Sequence, residues 1–110
     1  MPLPSPLEAA HPAVHWRLRG LRSSGLADPD SVDRAERIAT STMLLSPDAG
    51  EPCVRLGPRG RVLLEWGGVR AEVSDHGVEI DGGELLLDDP LSAERIVGKL
   101  RVQEPKSAPV

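Results

Sequence analysis

The stretch "GRVLLEWGGVRAEV", residues 60–73, decides how the chain folds. Val62, Leu64 and Trp66 alternate with Arg61, Leu63 and Glu65; after two glycines, Val69, Ala71 and Val73 alternate with Arg70 and Glu72. A period of two marks a strand with one buried face. A Gly-Gly pair between two such runs predicts a hairpin with a two-residue turn of type I′ or II′. That turn sets Trp66 opposite Val69, Glu65 opposite Arg70, Leu64 opposite Ala71, Leu63 opposite Glu72 and Val62 opposite Val73.

Working outward, the turn "SDHG" (residues 74–77) sets Val73 against Val78, and so Glu72 against Glu79, Ala71 against Ile80 and Arg70 against Asp81. A second Gly-Gly pair, Gly82 and Gly83, then sets Ile80 against Leu85 and Asp81 against Glu84. With "CVRL" before and "ELLLD" after, the expectation is an α+β fold built on an antiparallel β-meander of about five strands. Each connection is too short for a crossover. The inner face reads Val62, Leu64, Trp66, Val69, Ala71, Val73, Val78, Ile80, Leu85 and Leu87, and it needs a cover.

Two amphipathic helices supply that cover. In "DPDSVDRAERIATSTMLL", Val32, Ala35, Ile38, Ala39, Thr42 and Met43 share a side, with Asp30 or Ser31 as the cap. After Pro90, with Ser92 as the cap, Ala93, Ile96, Val97 and Leu100 fall at helical spacing. The domain is expected over residues 28–102. Residues 1–27, with Pro2, Pro4, Pro6 and Pro12, read as a Pro-rich, basic, partly disordered arm, in which residues 15–26 form a short helix cut by Gly20 or remain a loose basic segment. Residues 103–110 read as a disordered tail.

Composition narrows the function. The chain has 110 residues, a formal net charge of −4, two Trp, no Tyr and no Phe. So few rings leave little to stack on bases or flat cofactors, and the negative balance argues against a phosphate-tracking surface. The single cysteine, Cys53, excludes an internal disulfide and fits a reducing compartment. The start lacks a basic n-region with an apolar h-region, and apolar runs are too short to span a bilayer. The chain is expected to be cytoplasmic, with no membrane partner, and its bias to Arg, Ala, Gly and Val suits a GC-rich bacterial genome.

The outer face of the meander follows from the same register: Glu65, Arg70, Asp81 and Glu84 in one row; Leu63, Glu72, Glu79 and Leu86 in the next. No Lys or Arg occurs from Ala71 to Pro90. The plain reading is a solvated polar face. The sharper one is a docking face for a basic protein partner, with Leu63 and Leu86 as apolar anchors, because complementary charge selects and steers partners. A divalent-cation site on Glu72, Glu79 and Asp81 is poorly served by a flat sheet, so neither a metal nor a cofactor is expected. Arg17, Arg19 and Arg22 near one end and Arg95, Lys99 and Arg101 near the other would serve a nucleic-acid-associated protein if they converge. A strand at either edge offers pairing for a homodimer.

Other constellations read as structure. Ser74, Asp75 and His76 stand in a row, but a triad is assembled in space, and Ser, Asp and Gly are turn residues. His11 and His15 have helical metal spacing with Pro12 between them and no third ligand. "LGPRGR", residues 56–61, is followed by a strand where a phosphate loop needs a helix. Cys53 has no His or other base in its sequence neighbourhood. Trp16, among arginines, either packs on the domain or anchors in a partner.

The helix residues Ser31, Val32 and Ala35, the strand Gly60, Val62, Leu64, Glu65 and Trp66, and the turn from Asp75 to Gly77 resemble a loose set of small, uncharacterised bacterial proteins. In these a helix precedes a meander containing a G-x-V-x-L-E-W strand. The resemblance implies a compact α+β accessory module and brings no catalytic residues. "SDHG" departs from the simpler turn usual there. The expectation is thus a non-enzymatic interaction module of accessory, inhibitor or antitoxin-like type, ahead of a nucleic-acid-associated protein and of a small enzyme with an unrecognised site.

Overall fold

The computed structural model describes residues 5–103. Four helices and five strands follow in the order α1 (Pro6–Ala10), α2 (Pro12–Ser23), α3 (Pro29–Leu45), β1 (Cys53–Leu56), β2 (Val62–Trp66), β3 (Val69–Val73), β4 (Val78–Ile80), β5 (Leu85–Leu86) and α4 (Asp89–Gln103). The strands lie in one antiparallel sheet in sequence order. α2 packs by β1, α3 over β2 and β3, and α4 over β3, β4 and β5, so α3 lies between the other two. The fold is α+β, and the helices leave the opposite face of the sheet bare.

Prolines account for the largest difference from the sequence reading. Pro6, Pro12 and Pro29 each open a helix. At that position the missing N–H has no intrahelical acceptor to lose, and the fixed φ is already helical. The expected arm over residues 1–27 is therefore helical over residues 6–10 and 12–23. Leu7, Val14, Leu18 and Leu21 enter the core from it, and α2 runs through Gly20 without a break. Residues 1–4 and 104–110 lie outside the described residues, and Gln103 ends α4.

The caps also move. Asp28 caps α3, its carboxylate accepting from Ser31 N–H at 3.2 Å. Asp88 caps α4 by accepting from Leu91 N–H at 2.9 Å, while Ser92 is buried and donates back to the Asp88 carbonyl. Asp28 lies two residues before Asp30 and Asp88 four before Ser92; in each case a proline, Pro29 or Pro90, follows within two residues and falls in the first turn, where it is tolerated.

The register from β2 to β4 matches the pattern in the sequence. Val62 faces Val73, Leu63 faces Glu72, Trp66 faces Val69, Glu72 faces Glu79 and Val73 faces Val78. All eight inner-face residues from Val62 to Ile80 are buried. The last hairpin slips by one. β4 pairs Val78 with Leu86 and Glu79 with Leu85, where the sequence reading set Ile80 against Leu85. Asp81 and Gly82, not Gly82 and Gly83, are the central turn residues, with φ of 53° and 73°, and Gly83 N–H donates to Ile80 C=O at 3.0 Å. Asp-Gly is the preferred type I′ pair because both central positions need positive φ. From that closing bond to the Glu79–Leu85 pair, β5 spends two residues where β4 spends one, a local bulge. A one-residue slip exchanges faces. Leu86 is accordingly inside at 9% exposure, while Leu85 at 41% and Leu87 at 71% are outside.

Candidate functional site

The bare face carries one row that crosses every strand: Arg55, Leu63, Glu72, Glu79 and Leu85. A second row runs Cys53, Glu65 and Arg70. Alternation in β2, β3 and β4 lifts these side chains away from the helices. Two leucines therefore flank a pair of carboxylates held directly opposite one another. Ser74 N–H donates to Gly77 C=O at 2.9 Å, and Asp81 N–H donates to Arg70 C=O at 2.8 Å. Bonded pairs alternate along an antiparallel ladder, so Glu72 and Glu79 between them form a bonded pair, the wider of the two spacings at about 5.5 Å between Cα atoms. Repulsion is eased there but not removed.

The charges are more mixed than the linear sequence suggests. Arg61, just before β2, pairs with Glu72. Arg55 reaches Glu65 at 3.5 Å, and Lys99 of α4 reaches Asp81 at 3.3 Å. The Cys53 side chain and then the Glu65 carboxylate favour the charged form of Arg55 and raise its pKa above the usual guanidinium value. Asp81 also accepts from Arg70 N–H at 2.9 Å, so its carboxylate serves the turn. Of the acids expected to bind a partner, Glu79 and Glu84 have no ion-pair partner among the described residues. Leu63 is half-buried on the bare face as expected. Leu86 is a core residue, which corrects its place as an anchor; Leu85 stands there instead. Only the true turn residues, Asp81 and Gly82, could have revealed that exchange in the sequence.

The basic set does not converge. Arg17, Arg19 and Arg22 ride on α2, by β1, and Arg95, Lys99 and Arg101 ride on α4, over the other end of the sheet, with α3 between them. Arg22 is paired with Asp33, and Lys99 with Asp81. No single basic surface results.

The remaining constellations have structural work. Ser74 Oγ accepts from His76 N–H at 3.2 Å and from Gly77 N–H at 3.3 Å, closing the turn, while His76 is exposed beside Asp75. His15 is buried between Glu36, 3.8 Å from Nδ1, and Glu8, 3.9 Å from Nε2, where α2 meets α3 and α1. Trp16 meets the His15 ring edge-on at 5.0 Å and is otherwise exposed. Arg34 and Arg37 of α3 both grip Asp89, at 2.6 and 2.8 Å, and fasten the start of α4. A feature that the sequence reading did not single out is a groove of about 510 Å³ between α2 and the free side of β1, walled in part by Arg17, Glu51 and Arg55. Among the described residues no group of three or more His, Cys, Asp or Glu is placed to hold a metal ion, and no helix is long and apolar enough to cross a membrane. No protein-family model matches the chain, and no curated protein or solved structure matches it.

Proposed function

We propose that the chain is a non-enzymatic, cytoplasmic interaction module that docks a basic segment of a partner protein on the bare face of its sheet. The observation that carries this reading is the row Leu63, Glu72, Glu79, Leu85, in which two apolar side chains bracket two opposed carboxylates and only Glu72 is neutralised by a neighbour. A cation arriving between the two glutamates relieves their repulsion, and the leucines give it an apolar surround. Both gains exist only in the complex. Charge of this kind steers encounter and excludes acidic competitors more than it adds affinity.

Glu79→Lys separates this role from a structural one. Facing Glu72, the new ammonium should leave the fold unchanged or more stable by a few tenths to about 1 kcal/mol, since opposite charges replace like ones across the pair. Binding to the partner purified with the native chain should fall by roughly tenfold or more, and the wild-type affinity should weaken as salt rises. Calorimetric titration of both variants against that partner provides the check. An affinity unchanged by Glu79→Lys removes the bare face as the contact.

A further inference from the structure

We propose a second contact, independent of the first: the free edge of β1, with the groove between it and α2, accepts an extended, acid-bearing peptide segment as a sixth strand. Hydrogen-bond phase identifies the open groups. Gly57 N–H donates to Arg61 C=O at 2.8 Å, and this pair continues the register in which Leu56 faces Val62 and Cys53 faces Glu65. Antiparallel ladders exchange bonds at every second pair. Cys53 and Arg55 therefore turn their backbone groups to β2, and Val54 and Leu56 turn theirs to the free side. The phase agrees with the bonds of Ser74 to Gly77 and of Asp81 to Arg70, two ladders away. Among the described residues nothing is bonded to the outward amides and carbonyls of Val54 and Leu56. Pro52, next on that side, lacks an N–H and is tolerated because no strand lies beyond it.

The groove gives this edge a second wall. Ala13, Val14 and Arg17 of α2 face residues 51–55 across it. An added strand alternates: apolar side chains toward Ala13 and Val14, polar ones beside Arg55. Two arginines line the groove against one carboxylate. Arg17 has no carboxylate partner among the described residues, Glu51 already has His11 at 3.5 Å, and Arg55 holds Glu65 by a long 3.5 Å contact with most of its five donors to spare. Carboxylates on the incoming strand complement this wall. A second copy of the chain is the poorer occupant, because two-fold pairing of β1 gathers Arg17 and Arg55 of both copies at one seam. Strand addition of this kind takes affinity from main-chain bonds and selectivity from alternate side chains.

The test titrates the 15N-labelled full chain with a capped peptide of about six residues alternating Val and Glu, and with its Val and Lys counterpart. With the acidic peptide, the Val54 and Leu56 amide protons are expected to move downfield and exchange more slowly. Those of Cys53 and Arg55, already bonded to β2, move little. The acidic peptide should bind at least roughly tenfold more tightly than the basic one, and Arg55→Glu should reverse the order. The proposal is overturned if the Val54 and Leu56 amides are unmoved at millimolar acidic peptide. It is equally overturned if the two peptides bind alike, or if sedimentation shows the chain dimerising through this edge.

Discussion

Replacement of Gly77 by alanine is expected to lower stability by about 1–3 kcal/mol, the cost of forcing extra volume into a site that cannot yield. A β-carbon at this position would lie 2.4 Å from the Leu86 carbonyl oxygen and 3.2 Å from Leu85 Cδ1. The first of these is backbone, so no rotamer change relieves it. Relief requires β5 to move away from the turn, which breaks the pairing of Val78 with Leu86 and opens the edge of the core where Leu86 sits. Ser74 holds the turn on the other side through both its amide and its hydroxyl, so the strain is not absorbed there either. Thermal melts report the effect at roughly 4–8 °C per kcal/mol for a domain of this size. Gly20→Ala is the control: nothing lies within 4 Å of the added carbon and the residue is helical, so a gain of about 0.5–1 kcal/mol is expected. A melting temperature for Gly77→Ala equal to that of the wild type would show that β5 does not press on this turn.

The second large effect is Leu18→Ala, with an expected loss of about 2–5 kcal/mol from lost burial and the cavity left behind. Leu18 is 1% exposed and belongs to the same buried cluster as Val32, Ile38, Leu64 and Val54. The size of this effect separates two descriptions of the first residues. A loose arm would register the substitution within about 0.5 kcal/mol, as surface changes do. A helix that closes the core over the β1 end of the sheet registers it in full. Urea unfolding, with the midpoint and slope compared between variants, measures it directly.

Physical reasons separate what was legible in the sequence from what was not. The hairpin of residues 62–73 could be read because alternation, turn length and two glycines agree, and a slip would have put valines in water. The α3 face was equally legible, since Val32, Ala35, Ile38 and Ala39 recur at helical spacing and are all buried. The first two helices were not. Proline carries opposite meanings inside a helix and at its first residue, and the context separating them is the cap before it: Ser5 accepts from Glu8 N–H, and Asp28 from Ser31 N–H. Reading Ser-Pro as a helix start recovers α1, as Asp-Pro marks the start of α3, whereas α2 opens at Pro12 after His11 with no side-chain cap. The last hairpin failed because "IDGGEL" offers two adjacent turn pairs. Gly82 and Gly83 form one such pair, while Asp81 supplies its carboxylate to Arg70 N–H and settles the turn one residue earlier.

For the candidate site the same lesson is electrostatic. A run without Lys or Arg from Ala71 to Pro90 is a property of the chain, whereas the face is assembled from five strands. β1 and the residue just before β2 contribute Arg55 and Arg61, and α4 contributes Lys99; together they pair with Glu65, Glu72 and Asp81. What remains unneutralised on the row that crosses the sheet is Glu79, between Glu72 and Leu85, and that is where a cation of the proposed partner would have most to gain.

Whether Leu85 or Leu86 completes that row decides the composition of the proposed docking face, and cross-strand proton contacts decide between them. Opposed residues in a non-bonded antiparallel pair bring their Hα atoms closest. A strong Hα–Hα contact between Glu79 and Leu85 is expected, with an amide–amide contact between Val78 and Leu86. An Hα–Hα contact of Glu79 with Leu86 in its place would put Leu86 on the bare face and contradict this register.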